Sequence, residues 1–204
     1  MNYFLQDVKS FEDPRIKSLN DDVEILSIFG SINSFKGAEG LPQGLRSLYL
    51  TDNQISSFKG CENLPQGLQT LDLGKNQNSS FKGAEGLPQG LHTLYLFGNQ
   101  ISSFKGCENL PRSLHTLYLF GSQINSFEFS EQLPQSLHTL YLGRNQISSF
   151  KGCENLPQSL HYLDLQNNPI YNPNVNSLQQ IKHYKKYLEC LLEIEQYPYK
   201  KEFE

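Results

Sequence analysis

Four histidines, His92, His115, His138 and His161, recur every 23 residues, and three cysteines, Cys61, Cys107 and Cys153, recur every 46. Imidazoles stacked at such a period could chelate a metal ion, and cysteines could bridge, ligate or attack. The company they keep argues otherwise. No cysteine or carboxylate shares the histidine column, and the cysteine column alternates with Ala84 and Ser130, which reads as a run of small core residues. If one period is one coil of parallel strands ~4.8 Å apart, cysteines two coils apart lie roughly 10 Å from one another, beyond the ~7 Å that a disulfide spans. They are expected reduced, in a reducing compartment. Serine, histidine and aspartate all recur with the period as well, whereas a catalytic constellation needs unlike groups converging in one place. No glycine-rich phosphate loop, zinc signature or isolated acid pair stands out. The chain is expected to be no enzyme and to hold no cofactor or metal, with a metal or small ligand on the histidine ladder as the chemical alternative.

The period itself is the dominant signal. LPQGL begins at 41, 64 and 87, LPRSL at 110 and LPQSL at 133 and 156. A degenerate copy precedes them, since Val23, Leu26, Ile28, Ile32 and Phe35 align with Leu114, Leu117, Leu119, Ile124 and Phe127 after deletion of one residue. Seven repeats therefore run over about 19–177.

Within one period, Leu48 and Leu50 alternate with polar or aromatic neighbours, the mark of a short strand with one buried face. Asn53 follows, and its column continues as Asn76, Asn99, Ser122, Asn145 and Asn168, amides placed to satisfy backbone groups at the turn of every coil. Ile55, Phe58, Cys61 and Leu64 then recur at intervals of three, which suits a 3₁₀-like return segment. A phenylalanine spine, Phe35, Phe58, Phe81, Phe104, Phe127 and Phe150, needs neighbouring coils to bury it. Asn78 stands where other coils have isoleucine. The lysine column (Lys36, Lys59, Lys82, Lys105, Lys151, broken by Glu128) and the glutamate column (Glu39, Glu62, Glu85, Glu108, Glu131, Glu154) read as solvated convex surface whose charges cancel.

Open ends need covers. Leu178, Ile181, Tyr184, Leu188, Leu191 and Ile194 fall at helical spacing after Asn176 and Ser177, either of which can cap, so residues 178–204 are expected to form a capping helix with an acidic tail. Residues 1–18, carrying Phe4, Val8 and Phe11, are expected to cap the other end.

Composition narrows the partners. Seventeen basic against 21 acidic residues, with a net charge of −4, leave no basic footprint for nucleic acid. No apolar run reaches the ~18 residues of a membrane span, and the first residues lack the basic and apolar regions of a secretory signal. A cytoplasmic chain binding neither nucleic acid nor membrane is the expectation.

The string Leu45-x-x-Leu48-x-Leu50-x-x-Asn53-x-Ile55-x-x-Phe58 resembles the leucine-rich-repeat family, over roughly 19–177. That resemblance implies an α/β repeat solenoid: a leucine-rich-repeat horseshoe with a parallel concave β-sheet, a 3₁₀ or irregular convex side and a C-terminal capping helix. It also implies that a ligand sits on the concave sheet. There the column between the strand leucines holds Tyr49, Asp72, Tyr95, Tyr118, Tyr141 and Asp164, and the column beyond holds Thr51, Gly74, Phe97, Phe120, Gly143 and Gln166. The histidine ladder and Arg46 flank them; Tyr162 shares a face with Asp164, and Lys75 and Arg144 stand at the edge. Strand alternation turns Tyr95, Phe97, Tyr118, Phe120 and Tyr141 away from the core, giving an exposed aromatic strip of the kind that marks an interaction site. The bland alternative is that stacked tyrosines merely stabilise the sheet.

The Leu-Pro pair opening six repeats is similar to that of leucine-rich-repeat effectors which intracellular bacterial pathogens deliver into host cells. Members with ubiquitin-ligase activity carry a separate catalytic domain, for which the roughly 27 residues after the repeats leave no room. The tail glutamates Glu189, Glu193, Glu195, Glu202 and Glu204 resemble the export signal of effectors translocated into the host cytosol by type IV secretion. The expected partner is another folded protein, such as an enzyme whose active site is masked, either a host protein or another effector.

Overall fold

The computed structural model describes residues 1–175 and 177–196, with side chains described as far as 186. Eight parallel strands form one sheet in strict chain order: β1 (Asn2–Val8), β2 (Ile25–Gly30), β3 (Ser47–Tyr49), β4 (Thr70–Asp72), β5 (Thr93–Tyr95), β6 (Thr116–Tyr118), β7 (Thr139–Tyr141) and β8 (Tyr162–Asp164). Parallel neighbours need a crossover, and here each crossover is one return of the solenoid: the first, from β1 to β2, carries a one-turn α-helix, and the other six each carry a single 3₁₀ turn, from Ala38–Gly40 to Cys153–Asn155. The open parallel sheet with 3₁₀ turns on its other side is the expected horseshoe.

Each coil contributes the same buried set. In the coil of β6, Leu114, Leu117, Leu119, Ile124 and Phe127 are all fully buried, and the corresponding residues of neighbouring coils stack on them in one continuous core. A fully buried side chain of this size contributes about 1.5–3 kcal/mol, and none could be buried without the coils above and below. The small column residues reach across coils too: Cys61 Sγ lies 3.3 Å from the Gly83 carbonyl and Ser130 Oγ donates to that of Gly152 at 2.9 Å. Burial pushes the thiols of Cys61, Cys107 and Cys153 up to about 12, with the adjacent glutamates adding to the rise, and all three are free.

The asparagine ladder works as a spacer between coils. Asn145 Oδ1 accepts the Ile124 N–H at 2.9 Å, while its Nδ2 donates to the carbonyls of Leu119 and Leu142 at 2.8 and 2.9 Å. Asn53, Asn76, Asn99 and Asn168 repeat this pattern. The expectation that every coil is satisfied in this way fails at Ser122, whose buried hydroxyl is too short to reach those groups and has no partner. Asn78 is fully buried rather than turned to solvent. Its Nδ2 donates to Asn99 Oδ1 at 3.1 Å, but its own Oδ1 has no partner.

The ends differ from one another. Residues 2–8 do not cap from outside the sheet; they extend it as an eighth strand, with Tyr3 in register with Leu26 and Leu5 with Ile28. Val8, Phe11 and Ile16 are buried, and Phe11 stacks on Phe35 at 6.3 Å, so the phenylalanine spine begins one coil earlier than the repeat pattern shows. Phe4 lies outside this core: it is 56% exposed and packs on Phe29 at 5.0 Å on the sheet's outer face. The one-turn helix α1 (Pro14–Lys17) has Asp13 as its cap, with Asp13 bonded to Arg15 through both carboxylate oxygens. At the other end α2 (Ser177–Gln196) lies against β8, with Ile181 buried and Tyr184 covering the half-buried Phe150 at 5.6 Å. Ser177 Oγ accepts the Leu165 N–H at 3.1 Å. Asn176, Glu202 and Glu204 lie outside the described residues, as do the side chains of Leu188, Glu189, Leu191, Glu193, Ile194 and Glu195.

Candidate functional site

Strand register assembles the site. Asp72, Tyr95, Tyr118, Tyr141 and Asp164 are successive partners across β4 to β8, so three tyrosines stand in one row with an aspartate at each end. Their rings stack, with centroids 4.4 Å apart for Tyr95–Tyr118 and 4.1 Å for Tyr118–Tyr141, the latter pair within 8° of parallel. Tyr162 leans on Tyr141 at 5.1 Å. Tyr49 belongs to the same row beyond Asp72 and does not reach the stack, since it is in register with Asp72. Burial, together with hydroxyl neighbours on either side, raises the Tyr118 phenol far above its ordinary value, and burial raises Tyr95 as well. The Tyr95 and Tyr118 hydroxyls therefore stay protonated and able to donate at any physiological pH.

The next row shows an arrangement that the sequence reading missed. Gly74, Phe97, Phe120 and Gly143 follow one another on adjacent coils, and each phenylalanine lies over a glycine. A β-carbon on Gly74 would stand 2.2 Å from ring atoms of Phe97, and one on Gly143 would stand 2.8 Å from Phe120 and 2.7 Å from Asp164 Oδ2. Phe97 thus leans towards β4 and Phe120 towards β7. The rings splay apart and open a shallow trough of about 410 Å³ lined by Tyr95, Phe97, Tyr118, Phe120, Tyr141 and Asp164. The glycines among phenylalanines were visible in the column, but only the direction in which each ring leans turns them into seats.

The two aspartates are not equivalent. Asp72 is buried, its Oδ1 accepts the Gly74 N–H at 2.7 Å and it is also bonded to Thr51, while burial raises its carboxyl above the usual carboxylate range. Asp164 uses Oδ1 on the Gln166 N–H at 2.8 Å and keeps Oδ2 over Gly143, at the trough's end. On the rim, Arg144 sits 5.5 Å above the Phe120 ring centroid, a cation over the face of an aromatic ring.

The histidine ladder lies along one side of this surface and is exposed at all four positions. Rings of His115 and His138 are 5.0 Å apart and 14° from parallel, and those of His138 and His161 are 5.3 Å apart. Nδ1 of His115, His138 and His161 bonds the carbonyl of Ser113, Ser136 and Ser159 respectively, which leaves Nε2 outward. Carbonyl partners of this kind orient metal-bound histidines, so three of the four rings have that support. His92, preceded by Gly90 instead of serine, lacks the carbonyl bond and tilts 57° from His115. Stacking is what works against chelation. Equivalent atoms of near-parallel rings are as far apart as the rings, and two metal–nitrogen bonds of ~2.1 Å cannot span that gap without rotating a ring off its carbonyl. No group of three or more histidine, cysteine or carboxylate side chains placed to hold a metal occurs among the described residues.

Two larger depressions, of about 690 and 560 Å³, lie on the convex side between successive coils. The walls of the first are the lysine, glutamate and serine columns, Lys59 with Lys82 and Glu62 with Glu85, so opposite charges face each other and nothing departs from the repeat. The second departs from it on one coil, where Glu128 and Phe129 replace the usual lysine and glycine and, with Glu131 and Glu154, face the single lysine Lys151. The trough differs in that its departures run over several adjacent coils. No helix among the described residues is long and apolar enough to cross a membrane.

The family described as leucine-rich repeats, in two copies, matches this chain at residues 43–88 and again at 135–185. Among solved structures, an internalin from Listeria monocytogenes superposes with a TM-score of 0.61 and 25% sequence identity, covering 81% of this chain. The match takes in 48% of that structure's chain, so this chain spans about half its length. No curated protein sequence matches.

Proposed function

We propose that this leucine-rich-repeat solenoid is a protein-binding module which holds a folded partner on its concave sheet, centred on the trough of β5 to β7. Leucine-rich-repeat proteins are generally protein–protein interaction modules, and the fold is a binding scaffold in which nothing described here assembles unlike catalytic groups. The observation that carries the reading is the trough itself. A repeat whose other columns change on single coils departs here in two adjacent rows over several coils, and the departures interlock into a half-buried aromatic surface. Tyrosine joins a large contact area to a hydroxyl and is enriched among the residues that dominate binding energies. Eight strands at ~4.8 Å spacing give a face roughly 34 Å long, room for the ~800 Å² per partner of a standard interface.

A repeat scaffold of this kind acts by occupying its partner. We take it to be a bacterial effector that masks an enzyme, host protein or fellow effector, and works in a host cytosol after translocation. Support comes from the Leu-Pro pair opening each coil, from the acidic tail, and from three cysteines that are free and buried, as a reducing compartment favours. The test is capture of partners from host and bacterial lysates with the wild-type chain and with Tyr118→Ala and Tyr141→Ala. Central tyrosines commonly cost ~2 kcal/mol or more of binding on truncation, a loss of about thirty-fold in affinity. Full affinity in both variants, with loss in a convex variant, would move the site to the other face.

A further inference from the structure

The turn that follows each strand puts one residue in the left-handed region on every coil from β3 to β8: Asp52, Lys75, Gly98, Gly121, Arg144 and Asn167, with φ between 49° and 66°. Glycine, asparagine and aspartate are the usual occupants of such a turn. Lysine and arginine are not, and holding either there strains the backbone. These two stand on the coils on either side of those of Phe97 and Phe120, and glycines stand on the two coils between them.

Both basic side chains lean inward. Lys75 Cγ comes within 3.4 Å of the point where Gly98 would carry a β-carbon, and the Arg144 guanidinium is held over Phe120. Gly98 and Gly121 leave the space between them free of side chains. Neither Lys75 nor Arg144 has an ion-pair partner among the described residues, and both are exposed. The carboxylates nearby do not neutralise them: Asp72 is committed to Gly74 and Thr51, and Asp164 lies lower, at the end of the trough.

From this we infer that the concave site takes an acidic, apolar segment of its partner protein, with apolar side chains in the trough between Phe97 and Phe120 and flanking carboxylates on Lys75 and Arg144. The inference rests on the concave-face reading and adds the partner's chemistry to it. Lys75 and Arg144 are three strand spacings apart, roughly 14 Å, which an extended peptide covers in about four residues. Asp164 sharpens the fit, because a carboxylate on the floor of the trough would meet it while one on the rim meets Arg144. The guanidinium is held by Phe120, so little rotamer freedom is lost when it closes on a carboxylate.

The probe is an acetylated, amidated pentapeptide, Glu-Leu-Ser-Leu-Glu, compared with versions carrying glutamine or lysine in place of both glutamates. Binding is followed through the ring signals of isotope-labelled tyrosine and phenylalanine in NMR titrations of the full chain. The glutamate peptide is expected to shift the trough rings and to bind about five-fold tighter than the glutamine peptide at low salt, as two exposed ion pairs allow. That ratio should shrink in high salt. Lys75→Gln and Arg144→Gln should each reduce the ratio of the glutamate to the glutamine peptide's affinity measured on the same variant, and Tyr118→Ala should weaken both peptides. Equal binding of the glutamate and glutamine peptides, or preference for the lysine peptide, would overturn the inference. So would a trough that responds to none of the three. The concave-face reading would then still stand or fall by the tyrosine variants and the captured partner, so the two failures are distinguishable.

Discussion

The convex and concave sides of this molecule are built by the same repeat, and they treat its departures differently. On the convex side, the lysine and glutamate columns run with little change from the coil of β2 to that of β7, and their charges cancel on every coil but that of β6. There Glu128 and Phe129 replace the lysine and glycine, and the change is confined to that one coil. On the concave side, departures at Asp72, Gly74, Phe97, Phe120, Gly143 and Asp164 fall on adjacent coils and fit one another. In a solenoid, a repeated residue mostly reports duplication, and a site shows itself where several columns depart together. Departures that do not fit one another, at Asn78 and Ser122, are flaws in the core.

That contrast can be tested by sorting substitutions according to the column they enter. The largest loss of stability is expected at the buried strand leucines. Leu117 is fully buried between like leucines of neighbouring coils, so Leu117→Ala should destabilise by about 2–5 kcal/mol. Its neighbour Tyr118 faces the trough, and Tyr118→Ala should lose only cross-strand contacts of ~0.2–1 kcal/mol each. Denaturant unfolding of the two variants checks the split; similar losses would mean that the tyrosine stack is framework and not binding surface.

Next in size is Asn78→Ile, expected to stabilise by about 1–3 kcal/mol, the cost of leaving its buried Oδ1 unpaired. Asn99 Oδ1 keeps its bond from the backbone N–H of residue 78 after the change, so no new orphan is made. A fall in stability would show that the side-chain bond from Nδ2 outweighs the bare oxygen. Smaller again is Ser122→Asn. In the other coils the amide closes bonds to the coil before and to its own strand, so the restored ladder should add about 1 kcal/mol net. Thermal unfolding read by circular dichroism resolves both, and an unchanged midpoint for Ser122→Asn would mean that this coil has relaxed around the shorter side chain.

The fold was readable because the repeat states it seven times. Leucine alternation, the asparagine turn and spacing by three each recur often enough to outweigh local ambiguity, so strand, turn and 3₁₀ segment sit where expected. The eighth strand was not readable. Asn2–Val8 lacks the leucine pair, the asparagine and the Leu-Pro pair, and its pairing with β2 is settled by contacts across 23 residues of chain. Of the three apolar residues named for the cap, Val8 and Phe11 are buried while Phe4 is exposed beside Phe29. The tyrosine row and its aspartates followed directly from the columns. The trough did not, because a column gives the order of residues and not the direction in which Phe97 and Phe120 lean. Satisfaction of the histidine Nδ1 atoms was likewise hidden, being a bond from a side chain to the backbone two residues earlier.

The smallest effect expected is also the control for the whole contrast. Lys105 is exposed, belongs to the convex column and has no ion-pair partner among the described residues, Glu108 included. Truncating such a side chain removes no buried contact and leaves no orphaned group, so Lys105→Ala should change stability by less than about 0.5 kcal/mol. Its effect on affinity for the captured partner should be nil, since the sheet that carries the trough faces the other way. The backbone N–H of Lys105 rests on Ser103 Oγ at 3.4 Å, a contact that alanine retains, so any effect comes from the ammonium alone. The measurement is partner affinity for Lys105→Ala beside Tyr118→Ala in the same buffer. A loss at Lys105 equal to that at Tyr118 would mean that the periodic columns carry binding after all, and that uniformity along this solenoid is itself the recognition surface.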